Sequence, residues 1–381
     1  MSAFRAALPL LSVTLVNKVM SLSMSLLPAI VVARALPPGQ AAAVVGLARG
    51  AAVVGTLASG ALADRFGAKW VLVGSIALSG AGALGMARSV GAVDLAIAAA
   101  ATQIGLACFP VLNRVLLAGA VPLDQQREAL AWLRTTANLG LVMSFALGGA
   151  FGTHVTALLV ADAVGSWLAA ALGAALLTDA RRPATPSSAG ASTWRPFLYL
   201  TAVMCAWGCA YEGFLTACAA QLRATWGPEG VSVFAWVMVL NTVGCALLGV
   251  VVARRIEAPD LAVPVGFALL LAGAALGVTG SPAAAFVGMA LATAGELAFS
   301  ATAQFAWMAL TPEGPRKATV FSVAMTASFL ARAAGAALVF PLVVHAPFPA
   351  LGMAGLVVPG VLLSLAGAPA WAAFRTTRGV R

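Results

Sequence analysis

The sequence predicts an all-α integral membrane protein of twelve transmembrane helices, arranged as two pseudo-symmetric six-helix bundles. Three observations carry that expectation. The 381 residues are 61% hydrophobic and only 9% charged, with a mean hydropathy of +0.98, which is too apolar for a water-soluble core of any size. Twelve apolar runs each approach or exceed the roughly 20 residues that a bilayer crossing needs. Finally, the stretch Gly60-x-x-x-Asp64-Arg65 after the second run has an echo after the eighth, Gly249-x-x-x-Ala253-Arg254-Arg255, with alanine in place of the aspartate. A repeat at equivalent places in two sets of six is the mark of a duplicated half.

The runs are 7–33, 41–62, 70–87, 93–117, 129–151, 155–177, 196–220, 231–252, 261–279, 282–310, 318–344 and 350–372. The first follows Arg5 and ends near Ala33-Arg34-Ala35, which has the small-x-small form of a leader cleavage site. It is about twice too long for a leader and contains Lys18, so it reads as a retained helix. Thr14, Asn17, Lys18, Ser21 and Ser25 fall on one stripe of that helix, a face that does not suit lipid. Arg49 lies at similar depth in the second run and has two readings, a structural charge snorkelling outward or a cavity residue. The fourth run has Arg114 near its cytoplasmic end, the fifth carries Arg134-x-x-x-Asn138-x-Gly140, and Asp162 in the sixth reads as a structural or interfacial charge.

A flexible connection follows, residues 179–195, marked by Pro183, Pro186 and the Ser187-Ser188-Ala189-Gly190 stretch. It divides the chain into a first half, 1–178, and a second, 196–381. In the seventh run Glu212 shares a face with Cys205, Gly208 and Ala219. Met204, Trp207, Tyr211, Phe214 and Cys218 form an adjacent aromatic and sulfur face, suited to stacking on a flat ligand or to helix packing. Glu296 lies near the centre of the tenth run, with Ser300 and Gln304 following at i+4 and i+8 and Trp307 close to the same line. Arg332 is equally deep in the eleventh, one turn beyond Ser328. Ionisable groups at such depth need water, a partner or a substrate. Glu296 therefore leads as a proton or substrate group, with Glu212 second and a permanent Glu296–Arg332 ion pair as the alternative.

Charge fixes the expected orientation. With the N-terminus in the cytoplasm, the inside loops hold Arg5, Arg65, Lys69, Arg127, Arg181, Arg182, Arg195, Arg254, Arg255, Arg316, Lys317, Arg375, Arg378 and Arg381. The outside loops hold only Arg34, Arg88 and Arg223. Fourteen against three decides the matter by the positive-inside rule, placing both termini in the cytoplasm. The net charge of +10 is then mostly topology and calls for no nucleic acid. All five cysteines lie inside runs without a zinc or disulfide pattern, and no cofactor or metal is expected. The two histidines, His154 and His345, sit at outer loops, with no nucleophile elbow, no His-Glu-x-x-His and no phosphate-binding loop, which argues against an enzyme or an ATP-driven pump.

The stretch Gly60-Ala61-Leu62-Ala63-Asp64-Arg65-Phe66-Gly67-Ala68-Lys69 fits the Gly-x-x-x-Asp-Arg-x-Gly-x-Lys loop between the second and third helices of major facilitator transporters, and the chain resembles that superfamily. The resemblance implies a central cavity lined by helices 1, 4, 7 and 10 that opens alternately to each side. It also implies an inner gate at Gly60, Asp64, Arg65, Gly67 and Lys69, in which the aspartate acts through basic residues, with Arg114 as a candidate partner, and through the start of helix 11. Two stretches depart from the family's drug/proton antiporters. Ala98 to Ala101 replace an arginine of helix 4, although Gln103, Gly105, Ala107 and Pro110 fit loosely. Ser144-Phe145 replace Gly-Pro in helix 5, where Gly140, Gly148 and Gly149 match. The Gly295-Glu296 pair is similar to a Gly-Glu found at this point in some bacterial drug exporters.

The expectation is therefore a monomeric secondary transporter in a bacterial cytoplasmic membrane, its partners a small molecule, protons and the bilayer. It exports an amphipathic organic compound by alternating access with proton coupling. Proton-coupled uptake or facilitated diffusion of a metabolite is the alternative, followed by a non-transporting receptor. The expected cavity residues are Glu296, Glu212, Lys18, Arg49, Arg332, Asn17, Gln304, Trp207 and Tyr211.

Overall fold

The structure, a computed structural model, describes residues 3–19, 21, 23, 38–151, 155–179, 194–226, 228–256, 259–312, 317–339 and 348–367. Among them the regular secondary structure is entirely helical. Twelve helical segments follow one another: α1 (Ala3–Val19), α2 (Pro38–Phe66), α3 (Ala68–Arg88), α4 (Ala92–Ala120), α5 (Gln126–Phe151) and α6 (Val155–Leu176), then α7 (Trp194–Trp226), α8 (Pro228–Arg255), α9 (Pro259–Gly277), α10 (Pro282–Phe299), α11 (Lys317–Val339) and α12 (Pro349–Leu365). Each overlies one of the twelve apolar runs. Helix α10 continues through a π-helical turn, Ser300–Gln304, into a last α-helical turn, Phe305–Ala309. Among the described residues eight helices are long and apolar enough to cross a bilayer, and α12 is a shorter apolar helix. The outer half of the first run, most of the connection 179–195, and both histidines lie outside the described residues.

Helices form here because every backbone N–H and C=O in lipid must be satisfied within its own segment. Lipid supplies no hydrophobic drive between helices, so small residues set how closely they approach. The chain forms two compact units, Met1–Thr185 with Gly314–Val323, and Pro186–Glu313 with Ala324–Arg381. In the first, α4 packs on both α2 and α3, α3 on α6, and α1 on α5 and α6. Gly55 lets α2 lie against the backbone of α4, where an added Cβ would come within 2.7 Å of the Ile104 carbonyl oxygen. Trp167 ties α6 to α3 by donating its indole N–H to the Ala77 carbonyl at 3.2 Å.

In the second unit α9 and α10 run backbone to backbone, because Gly273 faces Gly288 and Gly266 faces Gly295. Helix α9 also packs on α12, and α7 on α8 and α12. Side chains such as Val93, Leu247 and Leu351 stay largely exposed, the outward apolar coat that a lipid solvent accommodates.

Candidate functional site

Three clusters of polar side chains stand out, two in the first unit and one in the second. At the loop between α2 and α3, Gly67 takes φ of +90°, a conformation that favours glycine. The tight turn lets Asp64 extend to the start of α11. Its Oδ1 accepts the Ala318 N–H at 3.1 Å, and its Oδ2 accepts the Thr319 N–H at 2.9 Å and the Thr319 hydroxyl at 2.6 Å. The first amides of a helix have no partner inside it, and they carry the positive end of its dipole, so a carboxylate is well matched there. Gly60 makes the approach possible, since a Cβ at that position would collide with Ser322 and the Ala318 carbonyl.

The basic residues of the loop, and Arg114 of α4, lie over aromatic rings. Arg65 lies over the Phe66 ring with 5.2 Å to its centroid, Lys69 over Trp70 at 4.8 Å, and Arg114 over Phe321 at 6.0 Å. Asp179, read from the sequence only as the start of the connection, comes up against Gly67, where any Cβ would strike its carboxylate.

Of the polar stripe in the first run, Thr14, Asn17, Lys18 and Ser21 are described, and Ser25 lies outside the described residues. Thr14 and Asn17 are buried, and Asn113 of α4 donates its amide N–H to the Thr14 hydroxyl oxygen at 3.3 Å. Lys18 places its ammonium 5.1 Å from the centre of the Phe109 ring and is within electrostatic range of Asp162. Asp162 is buried and structural in its bonding, accepting the Ser23 N–H at 2.7 Å and the Ser166 hydroxyl at 3.3 Å. Arg49 belongs to α2, and its side chain lies outside the described residues.

The second unit holds Glu212 and Glu296. Tyr211 donates its hydroxyl to Glu296 Oε2 at 2.7 Å, and Asn241 of α8 donates its amide N–H to the same oxygen at 2.9 Å. The Asn241 Nδ2 is also 3.0 Å from the Thr293 hydroxyl, while the Cys245 thiol sits 3.7 Å from Glu296 Oε2. One carboxylate oxygen thus gathers donors from α7 and α8. The Ser300 hydroxyl turns back to the Glu296 carbonyl at 2.6 Å, at the first residue of the π turn.

That turn changes which side chains share a line. Trp307 is almost completely buried and donates its indole N–H to Thr201 at 2.9 Å, whereas Gln304 is part-exposed. Trp207 is packed by protein on its faces and edge, stacked on Phe299 with ring centroids 4.1 Å apart and meeting Phe267 edge-on at 5.2 Å. The aromatic face of α7 therefore serves packing at Trp207 and hydrogen bonding at Tyr211. Arg332 lies nearest Glu212, with Nη1 3.7 Å from Oε2.

Sequence reasoning missed Asn241, Thr293, Cys245 and Thr319. Asn241 carried a usable signal, a lone amide inside the long apolar run of α8, which needs a partner in lipid.

The profile of the Major Facilitator Superfamily matches residues 10–336. The chain belongs to that superfamily. Two solved facilitator-like structures share its fold over 97% of its length: a bacterial homologue of the iron transporter ferroportin in an outward-facing state, with a TM-score of 0.70, 15% identity and 99% of that chain covered, and the human organic anion transporter MFSD10, with a TM-score of 0.66, 14% identity and 97% covered. Identities this low speak for the fold alone. Putative multidrug resistance proteins MdtD of Yersinia pestis (strain Pestoides F) and Yersinia pseudotuberculosis serotype O:1b (strain IP 31758) are 34% identical over 92 residues, 24% of this chain. The match spans 20% of the length of those relatives. The chain thus belongs to a family of multi-pass membrane transporters rather than of enzymes.

Proposed function

We propose that this facilitator exports a small amphipathic organic compound across a bacterial cytoplasmic membrane, driven by protons. The two six-helix halves, 1–178 and 196–381, are the moving parts, and the protein works as a monomer. The observation that carries the reading is the Glu296 carboxylate, whose single oxygen Oε2 takes hydrogen bonds from both Tyr211 and Asn241. A carboxylate held by donors on two neighbouring helices changes its proton affinity when those helices shift. The partial likeness to multidrug resistance proteins favours export, and the inner gate assigned to Asp64, with Gly60, Arg65, Gly67, Lys69 and Arg114 around it, supplies a device that alternates access.

The test is transport into inverted vesicles with a pH gradient imposed and then collapsed, using cationic, neutral and anionic amphipathic compounds. Glu296→Gln is expected to lose accumulation driven by the gradient while retaining exchange of labelled for unlabelled compound. A variant that still concentrates compound normally removes Glu296 from coupling and moves the role to Glu212 or to another ion.

A further inference from the structure

The Glu212–Arg332 pair has a different character from Glu296. Helix α11 approaches α7 at two glycines. A Cβ on Gly208 would come within 3.0 Å of the Arg332 stem and 3.2 Å of the Ser328 carbonyl, and one on Gly335 would collide with the Cys209 backbone. The arginine stem consequently lies along α7, and its head reaches the level of Glu212. Yet the two charges stop at 3.7 Å, with the side chains 37% and 36% exposed. A charge-assisted hydrogen bond between such groups closes to about 2.7–2.9 Å. Among the described residues the guanidinium makes no hydrogen bond, so five N–H donors are served by one loose ion contact.

An arginine on a lipid-crossing helix that is one-third exposed faces water rather than hydrocarbon. Glu212 can shed its charge by taking a proton, whereas a guanidinium stays charged throughout the accessible pH range. The standing demand at this face is therefore for acceptors. Its planar fork matches a carboxylate or phosphate group through two parallel bonds. We propose that Arg332 receives an oxyanion of the transported compound, a carboxylate or a phosphate, and that Glu212 occupies the guanidinium when no compound is bound. The inference rests on reading the protein as a transporter of an amphipathic organic compound, and it makes that compound an organic anion.

Cys205 and Cys209 provide a test that needs no knowledge of the natural compound. Both are free and half-buried, on the same face of α7 as Gly208 and Glu212, while Cys108, Cys218 and Cys245 are buried. In protein reconstituted into nanodiscs with the three buried cysteines replaced, the two thiols are labelled with methanethiosulfonates of either charge and followed by mass spectrometry. With each rate divided by that reagent's rate on a free thiol, the anionic sulfonatoethyl reagent should outpace the cationic trimethylammonium-ethyl reagent by at least about threefold, the Coulomb effect of one nearby charge in water. The preference should grow in Glu212→Gln, persist in Arg332→Lys and vanish in Arg332→Gln. Naphthalene-1-acetate and naphthyl phosphate, tried separately to tell carboxylate from phosphate, should slow labelling by the neutral methyl reagent, and naphthalene-1-acetamide should not.

A normalised preference for the cation, thiols closed to both reagents, a preference unchanged in Arg332→Gln, or protection by neither anion would each overturn the proposal. None of these measurements involves transport. A protein that keeps the anion preference but fails gradient-driven accumulation would count against proton-driven export alone.

Discussion

At the scale of single residues, Tyr211 and Asn241 do more than fill space around Glu296. Tyr211→Phe keeps a ring beside Trp207, 6.0 Å away between centroids, and removes only the hydroxyl. It should lower thermal stability in detergent by about 0.5–1.5 kcal/mol and slow gradient-driven transport several-fold. Asn241→Leu removes a donor that both Thr293 and Glu296 use, so it should cost more on both measures. Wild-type transport rates in both variants would reduce this network to packing. The sequence made Glu296 and Tyr211 legible separately, as an acid and an aromatic of the right depth. Their pairing across 85 residues was not legible, because periodicity reports faces of one helix and says nothing about which faces meet. For the same reason Arg332 appeared as a candidate partner of Glu296, while the ion pair seen in the structure joins it to Glu212.

Among the elements, the start of α11 tests the gate most directly. Asp64→Asn keeps the shape of the cap but removes the charge that faces the helix dipole, and it turns one of the two acceptor oxygens into a donor. The expected loss is ~1–3 kcal/mol of coupling, seen as slower turnover and as longer distances between spin labels on the helix ends beside the α2–α3 loop. Unchanged turnover and unchanged distances would leave Asp64 a structural cap. The existence and order of all twelve helices were legible because runs of about 20 apolar residues have few alternatives. The π turn was not. Ser300, Ala301, Thr302, Ala303 and Gln304 carry no composition that marks a widened turn, so a regular wheel projects Trp307 toward the Glu296 line when its indole is in fact committed to Thr201. Gly60 and Asp64 were recognised through family likeness, whereas the amides they serve lie far along the chain and leave no local trace.

For the whole molecule, the orientation read from charge remains to be measured. In a protein otherwise free of cysteine, a thiol placed at Gly280 or Ala346 should be labelled by an impermeant reagent from outside, and one at Ser188 should be protected. Labelling of Ser188 from outside would invert the topology. The two compact units also have an unequal relation to the order of synthesis. The second draws only on residues after Thr185, but the first includes Gly314–Val323, and Asp64 finds its amide partner 254 residues downstream. At about 5–20 residues per second, a ribosome that has finished Asp64 needs roughly 13–50 s more to deliver Ala318. Once α6 is made, six helices wait with a carboxylate and a bare glycine surface for a strip of chain that follows only after Glu313. The first unit is thus begun first and completed after most of the second has been made, so a fragment ending at Thr185 would be an unfinished bundle rather than half a transporter.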